Sequence, residues 1–246
     1  MGSGCTGEWV LRWCNASLRD SLHYIPHATC SCCFLPNTTH HATSRFHRST
    51  TTPPQPPHPI PRVWSLGKDK RSLVASMKEH KGAVMSIAMR NSSDEECASA
   101  AADGSCIIWD LATMKRRIAL QANTVFRGVA YHPDDSQLVT CGTDRKVTYW
   151  DNFDGQPIRI IDGSDSSEVT SICTDAQGVL LVTGGGDKLV RVWHYDDGTC
   201  THKGQGHSGT VTRVLVAPDR SRVVSVGEEG GVFVWDTPGA ATEEGR

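Results

Sequence analysis

An imidazole, a hydroxyl and a carboxylate can together activate a nucleophile, and this chain holds such a set in His80, Ser99 and Asp103, followed by Trp109. In a hydrolase the histidine would take the serine proton and the acid would steady the imidazolium. The set recurs, however. Thr140, Asp144 and Trp150 repeat the hydroxyl, acid and indole, as do Thr183, Asp187 and Trp193, and then Ser225, Glu229 and Trp235 with His207. The tryptophans are 41, 43 and 42 residues apart, each acid lies six positions before its Trp, and each hydroxyl four before its acid. An active site is built once, so a set in register four times reads as a structural clasp. A buried indole N–H needs an acceptor, which the hydroxyl supplies. A histidine can bridge that hydroxyl to the turn acid, and a buried acid is tolerable only with its oxygens paired. No G-x-S-x-G elbow or H-E-x-x-H accompanies the residues, and no enzymatic activity is expected. The set around Trp109 is complete. Glu229 is expected to be too long for the same network, and Asn123 and Gly163 stand near the histidine position of the middle repeats, whose networks are expected to be incomplete.

Other chemistries are weaker. Gly204-Gln-Gly206-His-Ser-Gly209 matches G-x-G-x-x-G, but a strand-like segment follows where a dinucleotide fingerprint requires a helix. Gly184-Gly-Gly-Asp-Lys188 lacks the G-K-[ST] ending of a phosphate loop. His27, Cys30, Cys32 and Cys33 have metal-ligating types, yet their spacing matches no common zinc pattern. No cofactor, metal or small-molecule substrate is expected. Arg145 and Lys146, with Lys188 and Arg191 one repeat later, can form a basic strip that meets an acidic partner. The favoured reading of these four is solvated turn charge.

The elements that position the clasps are strands. Val84–Met89, Cys97–Ala100, Cys106–Trp109 and Ile118–Leu120 make one four-strand unit with Asp103-Gly104 as a turn. The same order recurs to Pro157–Ile161 and again to Cys200–Lys203, and the last repeat stops after its third strand, Val232–Trp235. A period of about 40–45 residues with four short strands resembles a WD40 propeller blade. The expected class is all-β, with a partial blade at 62–79 and repeats at 80–121, 122–162, 163–205 and 206–236. Trp64 lies 45 residues before Trp109 and ends the partial blade. Three full and two partial blades do not close a ring of seven, so an open arc of about four blades is expected. A strained four-blade ring, with Leu73–Met77 as the outer strand of the last blade, is the alternative. Open ends expose strand edges, and such a chain is expected to be marginal and association-prone.

Composition divides the chain near residue 61. Residues 1–61 hold most of the prolines and six of the eleven histidines, and Thr52–Pro61 is a stiff, proline-rich tract. This leader is expected to be disordered and outside the fold. The 62–246 region is the repeat domain. A net charge of −2 carries no nucleic-acid or membrane footprint. No apolar run approaches the ~20 residues of a bilayer span, and the first residues lack a secretory signal, which places the chain in the cytosol or an attached compartment. Cysteines 97, 106, 141, 173 and 200 then read as buried thiols, and the sequons at Asn15, Asn37 and Asn91 as unmodified.

Several stretches resemble one particular family. They are Glu96-Cys97, Asp103–Leu111, Ala122-Asn123-Thr124, Tyr131-His132-Pro133, Gly142–Lys146, Val182–Gly185 and Gly206–Gly209. Together they look like the C-terminal blades of the cilia- and flagella-associated protein fifty-two family, and the likeness covers about residues 62–246. Asn123 at the usual histidine position is part of that family pattern. The resemblance implies a WD-repeat protein of two seven-bladed propellers inside doublet microtubules. It implies tubulin and other axonemal proteins as partners, a role in axoneme stability and motility, and a place in the cytoskeleton of the cilium or flagellum. Residues 1–61 resemble none of it, as expected of a truncated isoform or a misjoined gene. The alternative is a generic cytosolic WD40 adaptor such as a ubiquitin-ligase substrate receptor. That role usually carries an arginine two residues after a Trp-Asp pair, where this chain has Leu111-Ala112 and Asn152-Phe153.

Overall fold

The computed structural model describes residues 61–66 and 71–237. The proline-rich leader, with His27, Cys30, Cys32 and Cys33, lies outside the described residues.

Among the described residues seventeen strands form five antiparallel sheets. A hairpin of β1 (Arg62–Leu66) and β2 (Arg71–Ser76) comes first. Blade 1 is β3 (Val84–Met89), β4 (Glu96–Ala101), β5 (Ser105–Asp110) and β6 (Lys115–Gln121). Blade 2 is β7 (Phe126–Tyr131), β8 (Gln137–Gly142), β9 (Lys146–Asp151) and β10 (Pro157–Asp162). Blade 3 is β11 (Val169–Thr174), β12 (Leu180–Gly185), β13 (Leu189–His194) and β14 (Cys200–Gln205). Blade 4 has three strands among the described residues, β15 (Val211–Val216), β16 (Arg222–Gly227) and β17 (Val232–Asp236). The fold is an all-β propeller of WD40 blades, and each blade's strands pair in chain order, so every connection is a short hairpin.

Burial explains the sequence pattern. The second and third strands of blades 1 to 3 are covered on both faces, which is why β4, β5, β8, β9, β12 and β13 read as nearly continuous small or apolar runs. The core lies between blades rather than inside any one of them. Cys106, Ile108 and Leu120 of blade 1 pack on Phe126, Leu138 and Trp150 of blade 2. Val147 and Tyr149 receive Trp193, and Val190 and Val192 receive Trp235. Met77 and Val63, beside and within the first hairpin, receive Trp109. Each clasp tryptophan is thus the knob that a blade presses onto the one before it. The first strand of every blade carries a bulge after its opening residue, at Val84, Phe126, Val169 and Val211.

The innermost strands meet in series, β3 with β7, β7 with β11 and β11 with β15, and among the described residues no comparable contact joins β15 to β3. The ring alternative is corrected by the same topology. Strand β2 pairs with β1 alone, Met77 N–H donates to Pro61 at 3.0 Å, and Met77 is buried against blade 1, so this segment is not the outer strand of blade 4.

Candidate functional site: four clasps at the blade turns

The ten-residue spacing from hydroxyl to indole follows from register. Trp109 is paired across the sheet with Cys97, and Ser99 lies two residues further along β4 on the same face. The indole therefore reaches a diagonal neighbour. The same diagonal holds in the other blades, where Leu138, Leu181 and Val223 oppose the tryptophans. Indole N–H to hydroxyl distances are 2.7 Å for Trp109 to Ser99 and 2.8 Å for Trp150 to Thr140. They are 2.9 Å for Trp193 to Thr183 and 2.8 Å for Trp235 to Ser225.

Beyond the hydroxyl the four blades differ. In blade 1, His80 Nε2 meets Ser99 Oγ at 2.6 Å and Nδ1 meets Ser105 Oγ at 2.8 Å. Ser105 donates to Asp103 at 2.6 Å, while His80 Nδ1 stands 3.6 Å from that carboxylate. Lys81 and Gly82 N–H donate to Asp103 at 2.6 and 3.2 Å and tie the leading turn down. Ser105 is a member that the sequence reading missed; its signal was a hydroxyl two residues after the turn acid. Burial lowers the His80 pKa, against the pull of Asp103. Burial works to raise the Asp103 carboxyl, but hydrogen bonds from Ser105, Lys81 and Gly82 outweigh it and hold the group at about 2.

Blade 4 corrects the expectation for Glu229. His207 Nε2 meets Ser225 Oγ at 2.7 Å, and Nδ1 bonds the Glu229 carboxylate directly. Gly209 N–H donates to Glu229 at 3.1 Å. The longer acid fits because glycines surround it. A Cβ on Gly227 would stand 2.1 Å from Glu229 Oε2, and one on Gly231 3.0 Å from Oε1. Blade 1 has Ala101 and Ser105 at those two positions. A short acid with a serine relay in one blade equals a long acid with glycine neighbours in the other.

The middle blades use other means. In blade 3 the histidine position is served by Ser164, beside Gly163, which donates to Asp187 at 2.7 Å. Arg191 reaches the same carboxylate at 2.5 Å, with both side chains buried. Burial works to raise the Asp187 pKa, and Arg191 and Ser164 overcome it to lower it. The acid is thus paired, but among the described residues no hydrogen bond carries this network on to Thr183, so the bridge from hydroxyl to acid is incomplete, as expected. In blade 2, Thr143 accepts Val125 N–H at 3.0 Å and faces Thr124 at 3.3 Å, so two threonine hydroxyls tie the leading turn. Among the described residues Asp144 accepts only the Lys146 N–H, at 3.3 Å.

The four basic residues do not share a surface. Arg191 is buried in its ion pair. Arg145 is exposed but donates to the Asp165 carbonyl at 3.0 Å, leaving Lys146 and Lys188 in solvent. Arg145 and Lys188 occupy the left-handed turn position (φ 67° and 68°) that Gly104 and Gly230 take in blades 1 and 4. The glycine run 184–186 and the 204–209 match both lie in or beside strands and blade turns. Among the described residues no cluster of His, Cys, Asp or Glu could hold a metal ion, and no helix is long and apolar enough to cross a membrane.

The chain is similar to "Cilia- and flagella-associated protein 52" from Chlamydomonas reinhardtii, 60% identical over 71% of this chain and 28% of the relative. The Bos taurus and Homo sapiens proteins of that name are 46% and 44% identical, each over 72% of this chain and 28% of the relative. The chain thus spans little more than a quarter of these relatives. The WD domain, G-beta repeat family matches residues 71–110, 117–151, 155–194 and 198–236, so the repeated indole–hydroxyl–acid sets, each seated on a four-strand blade plan, place this chain in that family.

Proposed function

We propose that this chain is a non-enzymatic WD-repeat scaffold of the cilium or flagellum. It works within the axoneme, inside doublet microtubules, with tubulin and other axonemal proteins as partners, and supports axoneme stability and motility. The observation that carries this reading is the 60% identity with the Chlamydomonas reinhardtii protein over 71% of the chain. The clasps support its non-catalytic part. His80 and His207 are spent on serines that already accept an indole N–H, so neither hydroxyl is free to attack a substrate.

The experiment is fractionation of axonemes from cells that express the tagged full chain. The expected result is retention on doublet microtubules through salt extraction. Release into the soluble fraction together with a ubiquitin-ligase complex would overturn the axonemal reading in favour of a cytosolic adaptor.

A further inference from the structure

The four blades place different side chains in one space, bounded by the turn acid, the clasp tryptophan and the leading turn. Blade 1 fills it with His80 and Ile107, which is 3% exposed. Blade 4 fills it with His207 and Phe233, whose rings lie 4.4 Å apart, with Phe233 stacked at 5.7 Å on Trp235. Blade 3 fills it with the Arg191 guanidinium on Asp187. The equivalent residue in blade 2 is Thr148, and Ala122, with Asn123 beside it, stands where a histidine would be, four residues before the first strand opens. These are the smallest occupants of the four, and here a cavity of about 550 Å³ opens between blades 1 and 2. Gln121, Asn123, Asp144, Lys146, Thr148 and Trp150 are among the residues that line it.

Volume and charge are both left over in this cavity. Asp103, Asp187 and Glu229 each have a side-chain partner for the carboxylate, in Ser105, Arg191 and His207. Among the described residues Asp144 has a backbone N–H as its one partner. Blade 3 shows within the same chain what fits such a place, since the guanidinium of Arg191, two residues before the clasp tryptophan on the same strand, pairs there with the turn acid. We propose that the blade 2 cavity is a binding site for an arginine side chain of a partner protein. The guanidinium takes the position in blade 2 that Arg191 holds in blade 3, pairs with Asp144, and lies alongside the Trp150 indole. Arginine suits the site better than lysine because a planar fork matches a carboxylate beside an aromatic wall. Lys146 stands at the mouth, exposed, and weakens the site without filling it. This inference rests on the internal comparison of blades and does not depend on the axonemal reading.

The test uses the full chain and a blocked Gly-Arg-Gly tripeptide, with the isosteric citrulline peptide as the neutral control. The Trp150 indole N–H resonance, assigned with Trp150→Phe, reports occupancy. A saturable shift is expected with the arginine peptide, with a Kd on the order of 1 mM for so small a ligand, and none with citrulline. Asp144→Asn should weaken binding at least about tenfold. Lys146→Ala should tighten it about threefold. Thr148→Arg supplies the guanidinium from within, and should abolish peptide binding while raising the melting temperature. Equal responses to arginine and citrulline, no saturable response at all, or undiminished binding to folded Asp144→Asn would each overturn the proposal. If Thr148→Arg fails to fold, the citrulline and Asp144→Asn comparisons decide the question.

Discussion

Glu229 has one methylene more than Asp103, and blade 4 accommodates it by omitting atoms elsewhere. The missing atoms are the Cβ of Gly227, which would stand 2.1 Å from the carboxylate, and the hydroxyl that Ser105 supplies in blade 1. Gly227→Ala should therefore displace Glu229 from His207 and lower stability by about 1–3 kcal/mol in chemical denaturation. In a Glu229→Asp background the same alanine recreates the Ala101–Asp103 pair, and its cost should shrink by about 1 kcal/mol, a coupling that a double-mutant cycle measures. A cost that is the same in both backgrounds would refute this account of the fit. The clasp of blade 1 also sets a pH dependence. Burial holds the His80 pKa below 6.5, so as pH falls the unfolded chain binds the proton first. The stabilisation is whole above about 6.5 and is lost as pH drops through the lower, folded value. Asp103, held at about 2 against an ordinary 3.8, adds a second loss below about 3.8. Thermal melts across pH should show both declines, and His80→Gln should remove the first.

At the scale of the element, one strand position is buried in three blades and open in the fourth. Ile108, Tyr149 and Val192 are fully buried beneath the next blade, whereas Val234 of β17 is 37% exposed and Val232 beside it 64%. No further blade covers them among the described residues. Val232→Lys should change stability by no more than about 0.5 kcal/mol while reducing self-association in analytical ultracentrifugation. Val190→Lys, at the position equivalent to Val232 one blade earlier and fully buried, should cost several kcal/mol, on the order of a buried unpaired charge. Strand order and turn positions were readable because the Asp-Gly, Asp-Arg, Asp-Lys and Glu-Gly turns punctuate the same apolar runs each time. The role of β1 and β2 was less legible. Their weak alternation is compatible with either end of the arc, and only the burial of Met77 and Val63 against Trp109 decides for blade 1.

At the scale of the molecule, the main contacts among the described residues run from each blade to its neighbours, and polar ties reinforce the junctions between blades. Glu96 takes Arg117 at 2.9 Å and the Tyr131 hydroxyl at 3.2 Å. Arg127 pairs with Glu168 at 3.0 Å across blades 2 and 3, and Arg220 with the buried Asp175 at 2.7 Å across blades 3 and 4. Stability in such an array is close to a sum of blade and junction contributions. Hydrogen exchange should accordingly be fastest in β1, β2 and β17 and slowest in β8, β9 and β12. Arg220→Ala strands a buried carboxylate and should cost about 3 kcal/mol, with the added exchange confined to blade 4.

The repeat period, the strand order, the indole–hydroxyl pairs and the all-β class were determined by the sequence alone. Each is a local rule, a fixed spacing that places two groups on one face of one hairpin, and it survives whatever lies around it. Tertiary structure alone decided which partner completes each turn acid. It chose Ser105 for Asp103, the glycines around Glu229, Ser164 with Arg191 for Asp187, and for Asp144, among the described residues, the Lys146 backbone N–H alone. It also decided that Arg191 is a buried ion-pair member and no part of an outward-facing strip. Those outcomes depend on the volume left between two packed blades, where one methylene or one missing imidazole changes what reaches the acid. Such volumes are set by residues far apart in the chain, and no spacing rule records them.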